Sequence, residues 1–340
     1  MVEATPNVIH VLVAADFTDE QIRQFRAVSD KLQIEHHFPD VPESAYGKAE
    51  VLYTISNFPT PAQAPNLRWI QVHYAGVERV INKPIIQETD VTLTSASGIH
   101  VVQMAEYCLA MMLSFMYKIP RMIALKSEVK WPEHPSEIFS PHGLRGTTLG
   151  IIGYGSIGRE LARIVNQMGV TVLTTKRDAM NPADHEHYTP DGMGDPEGDI
   201  PERIYPPEAL ESMVEECDFV VVTVPLTDNT HHVVNEQVFN RMKKSAVLIN
   251  VARGGVVDQE ALVKALKSKK IAGVALDVFE PEPLPEDSPL WKMENVIISP
   301  HISGNTSQYH QKAAALFEQN LRRYVEKKPL YNVVKREQGY

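Results

Sequence analysis

The sequence is poor in cysteine and contains no long apolar run. Its only two cysteines are Cys108 and Cys217, too few for the disulfide framework of a small secreted protein, and both lie in apolar segments. The most apolar helical stretch, residues 107–117, is shorter than the roughly 20 residues that a membrane-spanning helix needs. The first residues also lack the basic and apolar segments of a signal peptide. These features predict a cytoplasmic protein with buried, reduced thiols.

Basic residues are outnumbered by acidic ones. The chain has 33 Lys and Arg against 43 Asp and Glu, a formal net charge of -10, and no cluster of basic residues stands out. Nucleic acids and anionic membranes are polyanions that bind a concentrated basic face. The sequence therefore predicts no nucleic-acid partner and no membrane partner. With 43% apolar and 22% charged residues over 340 positions, it predicts a globular protein of about two domains.

Short β-rich segments alternate with helical segments along the chain. The predicted strands are residues 11–15, 51–56, 69–73, 91–95, 148–154, 170–175, 219–224, 246–251, 271–278 and 296–299. This alternation is typical of parallel sheets with helices on both faces. A long helical stretch, residues 100–128, separates the strands into two groups. The pattern therefore predicts two α/β domains.

Residues 178–206 are rich in proline, glycine and acidic side chains. A structureless segment of more than about 15 residues is uncommon in a compact domain unless it is functional or mobile. We therefore predict a long surface loop, whose role stays open. His185 and His187 alternate with acidic residues in this loop, but short exposed polar runs often have this composition, and no metal site is predicted.

A glycine motif marks the start of the second group of strands. Gly153, Gly155 and Gly158 follow a predicted strand and open a helical stretch, residues 156–168. The first glycine permits a tight turn, the second lets a pyrophosphate approach the backbone, and the third lets helix and strand pack closely. The amides at the helix start, including those of Ser156 and Ile157, attract an anion. The motif therefore predicts a dinucleotide site.

Three residues further along could carry out hydride-transfer chemistry on an anionic substrate. Arg253 follows a predicted strand, and its planar guanidinium can hold a carboxylate through two hydrogen bonds. His301 also follows a strand, and imidazole is the side chain best suited to exchange protons near neutral pH. Glu282, between two prolines, offers a carboxylate that would stabilise the protonated imidazole. Glu280 is the competing carboxylate, two residues earlier.

Several phrases resemble one enzyme family, the D-isomer-specific 2-hydroxyacid dehydrogenases. The phrases are LRGTTLGIIGYGSIGRELAR, LINVARGGVVDQEAL, ALDVFEPEPLP and VIISPHISG, preceded by RWIQVHYAGVERV and TSASGIHVVQMAEYCLAMML. The resemblance implies two doubly wound parallel-sheet domains. These are a flavodoxin-like substrate domain, residues 1–98 and 302–340, and an inserted Rossmann dinucleotide-binding domain, residues 99–301. It also implies hydride transfer between a nicotinamide cofactor and a small 2-oxo acid or D-2-hydroxy acid, of the glyoxylate or hydroxypyruvate type.

The resemblance assigns roles to individual residues. The catalytic residues are Arg253, Glu282 and His301, with Glu282 rather than Glu280 as the partner of the histidine. The substrate carboxylate would be bound by Arg253 and by the loop of Tyr74, Ala75, Gly76 and Val77. Asp277 would bind the nicotinamide amide. Further cofactor contacts are implied for Pro225, Thr230, Val251, Ala252, Arg253, His301 and Gly304.

The end of the second strand of the dinucleotide domain departs from the NAD pattern. An acidic residue usually binds the ribose 2′-hydroxyl there, whereas this chain has Lys176 followed by Arg177, with Thr175 beside them. These side chains can form charge-assisted hydrogen bonds to a 2′-phosphate. The sequence therefore predicts a preference for NADP(H), with NAD(H) as the alternative if Asp178 contacts the ribose.

Other functions stay open at this point. Oxidation of D-3-phosphoglycerate is one alternative, and a non-catalytic, dinucleotide-sensing protein similar to the corepressors of this family is another. Related formate dehydrogenases carry Gln where this chain has Glu282, which argues against formate. The methionine-rich helix around residues 104–117 predicts a homodimer, because two-fold dimers are the commonest oligomers. The identity of the 2-hydroxy acid and the physiological direction stay open.

Overall fold

The computed structural model describes residues 8–338 of the chain, which divide into two compact units. The first unit ends at Ile99, resumes for His185–Tyr188 and then contains the chain from Thr306 onward. The second unit consists of His100–Asp184 and Thr189–Asn305. The chain therefore passes from the first unit to the second after residue 99 and returns to the first after residue 305. The sequence predicted these passages after residues 98 and 301. The sequence had placed residues 185–188 in the dinucleotide domain, whereas the structure groups them with the first unit.

The first unit is built on a five-stranded parallel sheet. Its order is β2-β1-β3-β4-β5, the flavodoxin-like order. The strands are β1 (Ile9–Ala14), β2 (Leu32–His36), β3 (Val51–Thr54), β4 (Trp69–Val72) and β5 (Thr92–Thr94). The helices are α1 (Asp19–Arg26), α2 (Glu43–Tyr46), α3 (Pro84–Gln87) and, near the C-terminus, α11 (Tyr309–Val325).

The second unit is built on a seven-stranded parallel sheet of order β12-β11-β10-β9-β6-β7-β8. The strands are β6 (Thr148–Ile152), β7 (Thr171–Thr175), β8 (Arg203–Tyr205), β9 (Phe219–Val222), β10 (Val247–Asn250), β11 (Gly273–Leu276) and β12 (Val296–Ile298). The helices are α4 (Val101–Met116), α5 (Ile119–Ser127), α6 (Pro135–Ile138), α7 (Ser156–Gln167), α8 (Leu210–Val214), α9 (Glu236–Arg241) and α10 (Gln259–Lys267). Beginning at β6, this is the strand order of dinucleotide-binding sheets. The predicted fold class is therefore confirmed.

The central strands of the second sheet are covered on both faces. All four residues of β9, β10 and β11 are buried, which explains why these strands are continuous apolar runs in the sequence. Cys108 and Cys217 are buried and free. Burial raises the pKa of both thiols, that of Cys217 to about 12, so neither is a reactive thiolate.

Two strands were missed in the sequence, and both lie at a sheet edge. β2 pairs only with β1, and β8 pairs only with β7. An edge strand is partly exposed and therefore carries polar residues, as in LQIEH of β2 and RIY of β8. β8 also corrects the expectation that residues 178–206 form a loop throughout.

The predicted helical stretch 100–128 is broken into α4 and α5. Lys118, between the two helices, has a left-handed backbone with φ of 53°, and Pro120 lies in the first turn of α5. Proline lacks the amide hydrogen that would continue the helix, and its ring clashes with the preceding turn. The two helices are bent by 64°. Within residues 8–338 no single helix is long and apolar enough to cross a bilayer, and only this bent pair together passes the length and composition test.

Residues 178–206 are anchored on helix α7. The Arg159 guanidinium, only 2% exposed, donates hydrogen bonds to the carbonyl oxygens of Asp195 and Pro182 and lies 4.6 Å from the centre of the Tyr154 ring. The Tyr154 hydroxyl donates to the Asp195 carboxylate at 2.5 Å. The segment is therefore tied to the glycine motif that precedes α7.

The same helix supplies a second anchor. The Glu160 carboxylate is buried and accepts a hydrogen bond from the Gly194 amide at 2.7 Å and two from Arg163. Burial opposes ionisation of Glu160, but its hydrogen bonds to Arg163 and Gly194 lower its pKa below the ordinary value overall. The ionised form therefore stabilises the folded loop, and that stabilisation is lost only in acid, as the pH falls through the lowered pKa.

A short part of this segment belongs to the first unit. Tyr188 is buried there beside Ala96, Ile99 and Leu316. Its amide donates to the Asn332 side chain at 2.9 Å. Tyr188 therefore anchors this short stretch to the first unit, while residues 185–187 are exposed.

We expect Arg159→Met to destabilise the protein by about 1–3 kcal/mol, because the carbonyl groups of Asp195 and Pro182 lose a charged donor. Thermal unfolding and limited proteolysis of residues 182–198 measure this effect. Arg241→Met is the control, because Arg241 forms only exposed ion pairs, which contribute about 0–1 kcal/mol. Equal stability of the two variants would show that Arg159 does not anchor the segment.

Candidate active site

The glycine turn between β6 and α7 has the geometry that a pyrophosphate requires. Gly153 has φ of 99°, in the left-handed region, and a Cβ there would lie 2.6 Å from the Val224 side chain. A Cβ at Gly158 would lie 2.8 Å from the Gly153 carbonyl oxygen. By contrast, nothing lies within 4 Å of a Cβ built at Gly155. The turn is therefore tightly packed on its protein side and open at Gly155.

No side chain caps the start of α7. Gly155 is its N-cap and makes no side-chain cap hydrogen bond, and Ser156 and Ile157 are the first helical residues. The first amides of a helix have no partner within the helix and attract anions. The open turn and the uncapped amides therefore fit the pyrophosphate of a dinucleotide.

Three predicted cofactor residues follow one another at the end of β7. The Thr175 side chain is buried, and its hydroxyl accepts a hydrogen bond from the Gly153 amide at 3.2 Å. The Lys176 ammonium donates to the carbonyl oxygens of Asn181 and Ala183, and Arg177 is exposed. Burial, followed by the charge of Arg159, lowers the pKa of Lys176. Thr175 therefore holds the glycine turn, while the two basic residues provide the positive charge.

Asp178 is engaged in its own turn. Its carboxylate accepts hydrogen bonds from the Asn181 amide at 3.2 Å and from the Asn181 side chain at 2.7 Å. These bonds lower the pKa of Asp178, the side-chain bond most strongly. The alternative ribose ligand is therefore already used as the acceptor of a local turn.

In the loops after β9 and β10, side chains form hydrogen bonds with the backbone of the same loop. The Thr230 hydroxyl donates to the Pro225 carbonyl oxygen at 2.6 Å. The Asn250 side chain accepts from the Ala252 amide and donates to the Arg253 carbonyl oxygen, both at 3.0 Å. Val251 and Ala252 are buried and Arg253 is half-buried. Both loops therefore have a defined backbone at the carboxyl edge of the sheet.

His301 and Glu282 form the pair predicted from the sequence. The histidine Nδ1 lies 3.0 Å from the Glu282 Oε2 atom, and Glu282 Oε1 accepts from the Phe279 amide at 2.9 Å. An ionised carboxylate can only accept, so Nδ1 carries the hydrogen. Nε2 is then the nitrogen available for proton exchange. Glu280 is turned towards His232 instead, with its carboxylate oxygen 3.5 Å from that ring.

The backbone at His301 is held in an unusual conformation by Asp277. His301 has φ of 54°, in the left-handed region that favours glycine. The fully buried Asp277 carboxylate accepts hydrogen bonds from the Ser299 hydroxyl at 2.5 Å and from the amides of Ile302 and Ser303 at 2.9 and 2.8 Å. Asp277 therefore fixes the segment that carries the histidine. The role of Asp277 towards the nicotinamide stays a prediction.

The order of the strands brings these groups to one edge of the sheet. β10, β11 and β12 are neighbours, and the carboxyl ends of parallel strands meet at the same edge. Arg253 follows β10, Glu282 follows β11, and His301 follows β12. Gly304 lies just beyond, and its carbonyl oxygen is 3.1 Å from the His100 Nδ1 atom. Arg253, the carboxylate–imidazole pair and the glycine turn therefore all belong to the second unit.

The predicted substrate loop, residues 74–77, belongs to the first unit. It follows β4, with Val77 buried and Tyr74, Ala75 and Gly76 half-buried. The preceding residue, His73, was not predicted from the sequence to be part of the site. Its ring is buried and lies 2.6 Å from the Tyr53 hydroxyl, and its carbonyl oxygen accepts from the Tyr309 hydroxyl at 2.8 Å. The backbone leading into the loop is therefore fixed, and substrate binding by the loop stays a prediction.

A second group of polar side chains was not predicted from the sequence. His231 and His232 lie near Glu280, and the potential metal-ligating atoms of all three are within 4.8 Å of one another. The histidines follow β9 and the glutamate follows β11. Nothing in the local sequence indicates that these positions meet, because α9, β10, α10 and β11 lie between them along the chain.

Several known proteins are similar to this chain in both sequence and fold. A sequence model of the NAD binding domain of D-isomer specific 2-hydroxyacid dehydrogenases matches residues 109–303, more than half of the chain. The glyoxylate reductase of Thermofilum pendens is 36% identical over 260 residues, covering 76% of this chain and 72% of that protein. The (S)-sulfolactate dehydrogenase of Chromohalobacter salexigens is 34% identical over 266 residues, covering 77% and 79%.

A solved structure supports the same conclusion. The D-isomer specific 2-hydroxyacid dehydrogenase from Xanthobacter autotrophicus, in complex with NADPH and MES, matches 98% of this chain and 100% of its own, with a TM-score of 0.77 and 26% identity. The resemblance seen in the sequence is confirmed. The chain belongs to the D-isomer specific 2-hydroxyacid dehydrogenase family and is an NAD(P)-dependent oxidoreductase.

Proposed function

We propose that this protein reduces a small 2-oxo acid of the glyoxylate or hydroxypyruvate type and uses NADPH as the hydride donor. The observation that carries the proposal is the 3.0 Å contact between His301 Nδ1 and Glu282 Oε2, at the sheet edge that also holds Arg253. Relatives named glyoxylate reductase support the substrate class. The sulfolactate-oxidising relative shows that the family also accepts other acids.

Each residue of the site has a role in this reaction. A bound nicotinamide supplies the hydride for the carbonyl carbon of the substrate. Arg253 would hold the substrate carboxylate and polarise the carbonyl group, because a guanidinium can form two parallel hydrogen bonds. His301 would deliver a proton from Nε2 to the developing alkoxide. Glu282 would orient the ring through Nδ1 and stabilise its charged form.

The preference for NADPH rests on the end of β7. Lys176 and Arg177 are adjacent there, and their ammonium and guanidinium groups are cationic hydrogen-bond donors. A 2′-phosphate would complete such a site through charge-assisted hydrogen bonds. The Asp178 carboxylate already accepts two hydrogen bonds from Asn181, which hold it in its own turn. NADP(H) is therefore favoured over NAD(H).

We also propose that the protein is a cytoplasmic homodimer. Several large apolar side chains are exposed in and after α5, namely Ile119, Met122, Ile123, Val129 and Trp131, with Tyr117 just before it. Trp131 is 88% exposed. A cluster of exposed apolar side chains is typical of an interaction surface. The interface proposed here is centred on α5 and not on the methionines of α4, because Met112 is buried and Met104, Met111 and Met116 pack against the core.

We expect the purified protein to consume NADPH with at least one acid in a panel of small 2-oxo acids that includes 3-phosphohydroxypyruvate. His301→Ala should lower turnover by about 10²–10⁴-fold while NADPH affinity changes little, because only the proton donor is lost. His142→Ala, an exposed histidine of the same unit, is the control. Inactivity of the wild type towards the whole panel would favour a dinucleotide-sensing protein.

The cofactor preference can be reversed at the end of β7. We expect Lys176→Asp combined with Arg177→Ala to lower kcat/KM for NADPH by at least about 10-fold, because charge-assisted hydrogen bonds to the phosphate are lost. The value for NADH should fall much less. Asp178→Asn is the control and should leave the preference unchanged. A wild-type protein that prefers NADH would contradict the proposal.

Light scattering after size-exclusion chromatography measures the mass of the assembled protein. We expect a mass twice the 38.1 kDa of one chain. Ile123→Glu should weaken the dimer, because a charge would be buried at an apolar interface. Met180→Glu changes another exposed apolar residue, which lies outside α5, and should leave the mass unchanged. A monomeric wild type at micromolar concentration would refute the dimer.

A further inference from the structure

His231, His232 and Glu280 form a polar cluster that the proposed reaction does not use. The Glu280 Oε2 atom lies 3.5 Å from His232 Nε2 and 4.0 Å from His231 Nε2. The two imidazole rings are stacked, with centroids 3.9 Å apart. All three side chains are about half exposed. Two nitrogen donors and one oxygen donor therefore face a common region that solvent can reach.

The cluster is held on a rigid framework. The His232 amide donates to the Gly255 carbonyl oxygen at 2.8 Å, and the Val234 amide donates to the Val256 carbonyl oxygen at 3.1 Å. A Cβ at Gly255 would lie 3.1 Å from the Glu280 carboxylate. Both segments thus pack on the same turn, residues 254–256, and their relative positions are fixed by the backbone.

The backbone of His232 is itself unusual. Its φ of 51° lies in the left-handed region, which a residue with a side chain seldom adopts. Such conformations persist where the surrounding structure enforces them, and they are frequent at functional sites. Here the conformation is compatible with both neighbouring rings facing the same carboxylate.

The donor set matches a particular class of ion. Two imidazole nitrogens and one carboxylate are typical ligands of Zn²⁺ and of Co²⁺, Ni²⁺ and Cu²⁺, whereas Mg²⁺ and Ca²⁺ prefer oxygen ligands. A tetrahedral site with bonds of about 2.0–2.2 Å separates its donors by about 3.3–3.6 Å. The observed separations of 3.5 and 4.0 Å are close to this range. The ligand atoms of the two rings lie within 4.8 Å of each other, and rotation of the exposed rings would direct both lone pairs at the ion.

We propose that His231, His232 and Glu280 bind one divalent transition-metal ion of the zinc class. Three protein ligands would leave a fourth position for water. The site uses neither the Glu282 carboxylate nor the His301 ring, so it is separate from the proton donor of the proposed reaction. A simple ion pair would need only one imidazolium beside Glu280, whereas the structure places two imidazoles there.

The test is a calorimetric titration of ZnCl₂ into tag-free protein that has been treated with EDTA. We expect one ion per chain, and visible absorption bands of a tetrahedral nitrogen and oxygen site when Co²⁺ replaces zinc. His231→Gln, His232→Gln and Glu280→Gln should each weaken zinc binding by at least about 10-fold, because each removes a ligand. Thermal unfolding in EDTA shows whether each variant is folded.

The control is the double variant His134→Gln with His142→Gln, which removes two exposed histidines of the same unit and should leave zinc affinity unchanged. Absence of stoichiometric binding would overturn the proposal. Equal affinity in wild type and the three ligand variants would overturn it as well, since the ion would then bind elsewhere. None of these outcomes depends on turnover, so the test is independent of the proposed oxidoreductase reaction.

Discussion

The site depends on one buried carboxylate, that of Asp277. It accepts three hydrogen bonds from the segment between Ser299 and Ser303, and this segment holds His301 in a left-handed conformation. An unusual backbone conformation costs free energy and is kept only where the surroundings enforce it. Because Asp277 lies at the end of β11, it couples the histidine to the strand that also leads to Glu282. The imidazole is thereby positioned by buried structure, although its own ring is exposed.

Helix α7 contacts both the glycine turn and the 178–206 segment. Its first amides face the open glycine turn, while Arg159 and Glu160 within it hold residues of the 178–206 segment. The Tyr154 hydroxyl, within the glycine turn, reaches the same segment through Asp195. The long segment is therefore part of the support of the cofactor turn. The basic residues at the end of β7 lie beside it, since Lys176 donates to the carbonyl oxygen of Asn181.

Two different groups of polar side chains lie at the carboxyl edge of the second sheet. One, Arg253 with His301 and Glu282, is suited to an anionic substrate and proton transfer. The other, His231 with His232 and Glu280, is suited to a transition-metal ion. The turn at residues 254–256 connects them, because it follows Arg253 directly and also contacts His232 and Glu280. Parallel sheets favour such combinations, since the loops after neighbouring strands converge at one edge.

The sequence by itself determined the family, the two parallel-sheet domains, the glycine turn and the candidates Arg253, Glu282 and His301. These features are local, because each depends on a short phrase beside a buried apolar strand. Only the tertiary structure revealed the edge strands β2 and β8, because their exposed faces carry polar residues and so lack a continuous apolar pattern. It also decided the partners of Asp277, the anchoring by Arg159 and the approach of Glu280 to His231 and His232. These contacts join residues that are distant in the chain, and their chemistry arises only when the sheet brings the loops together.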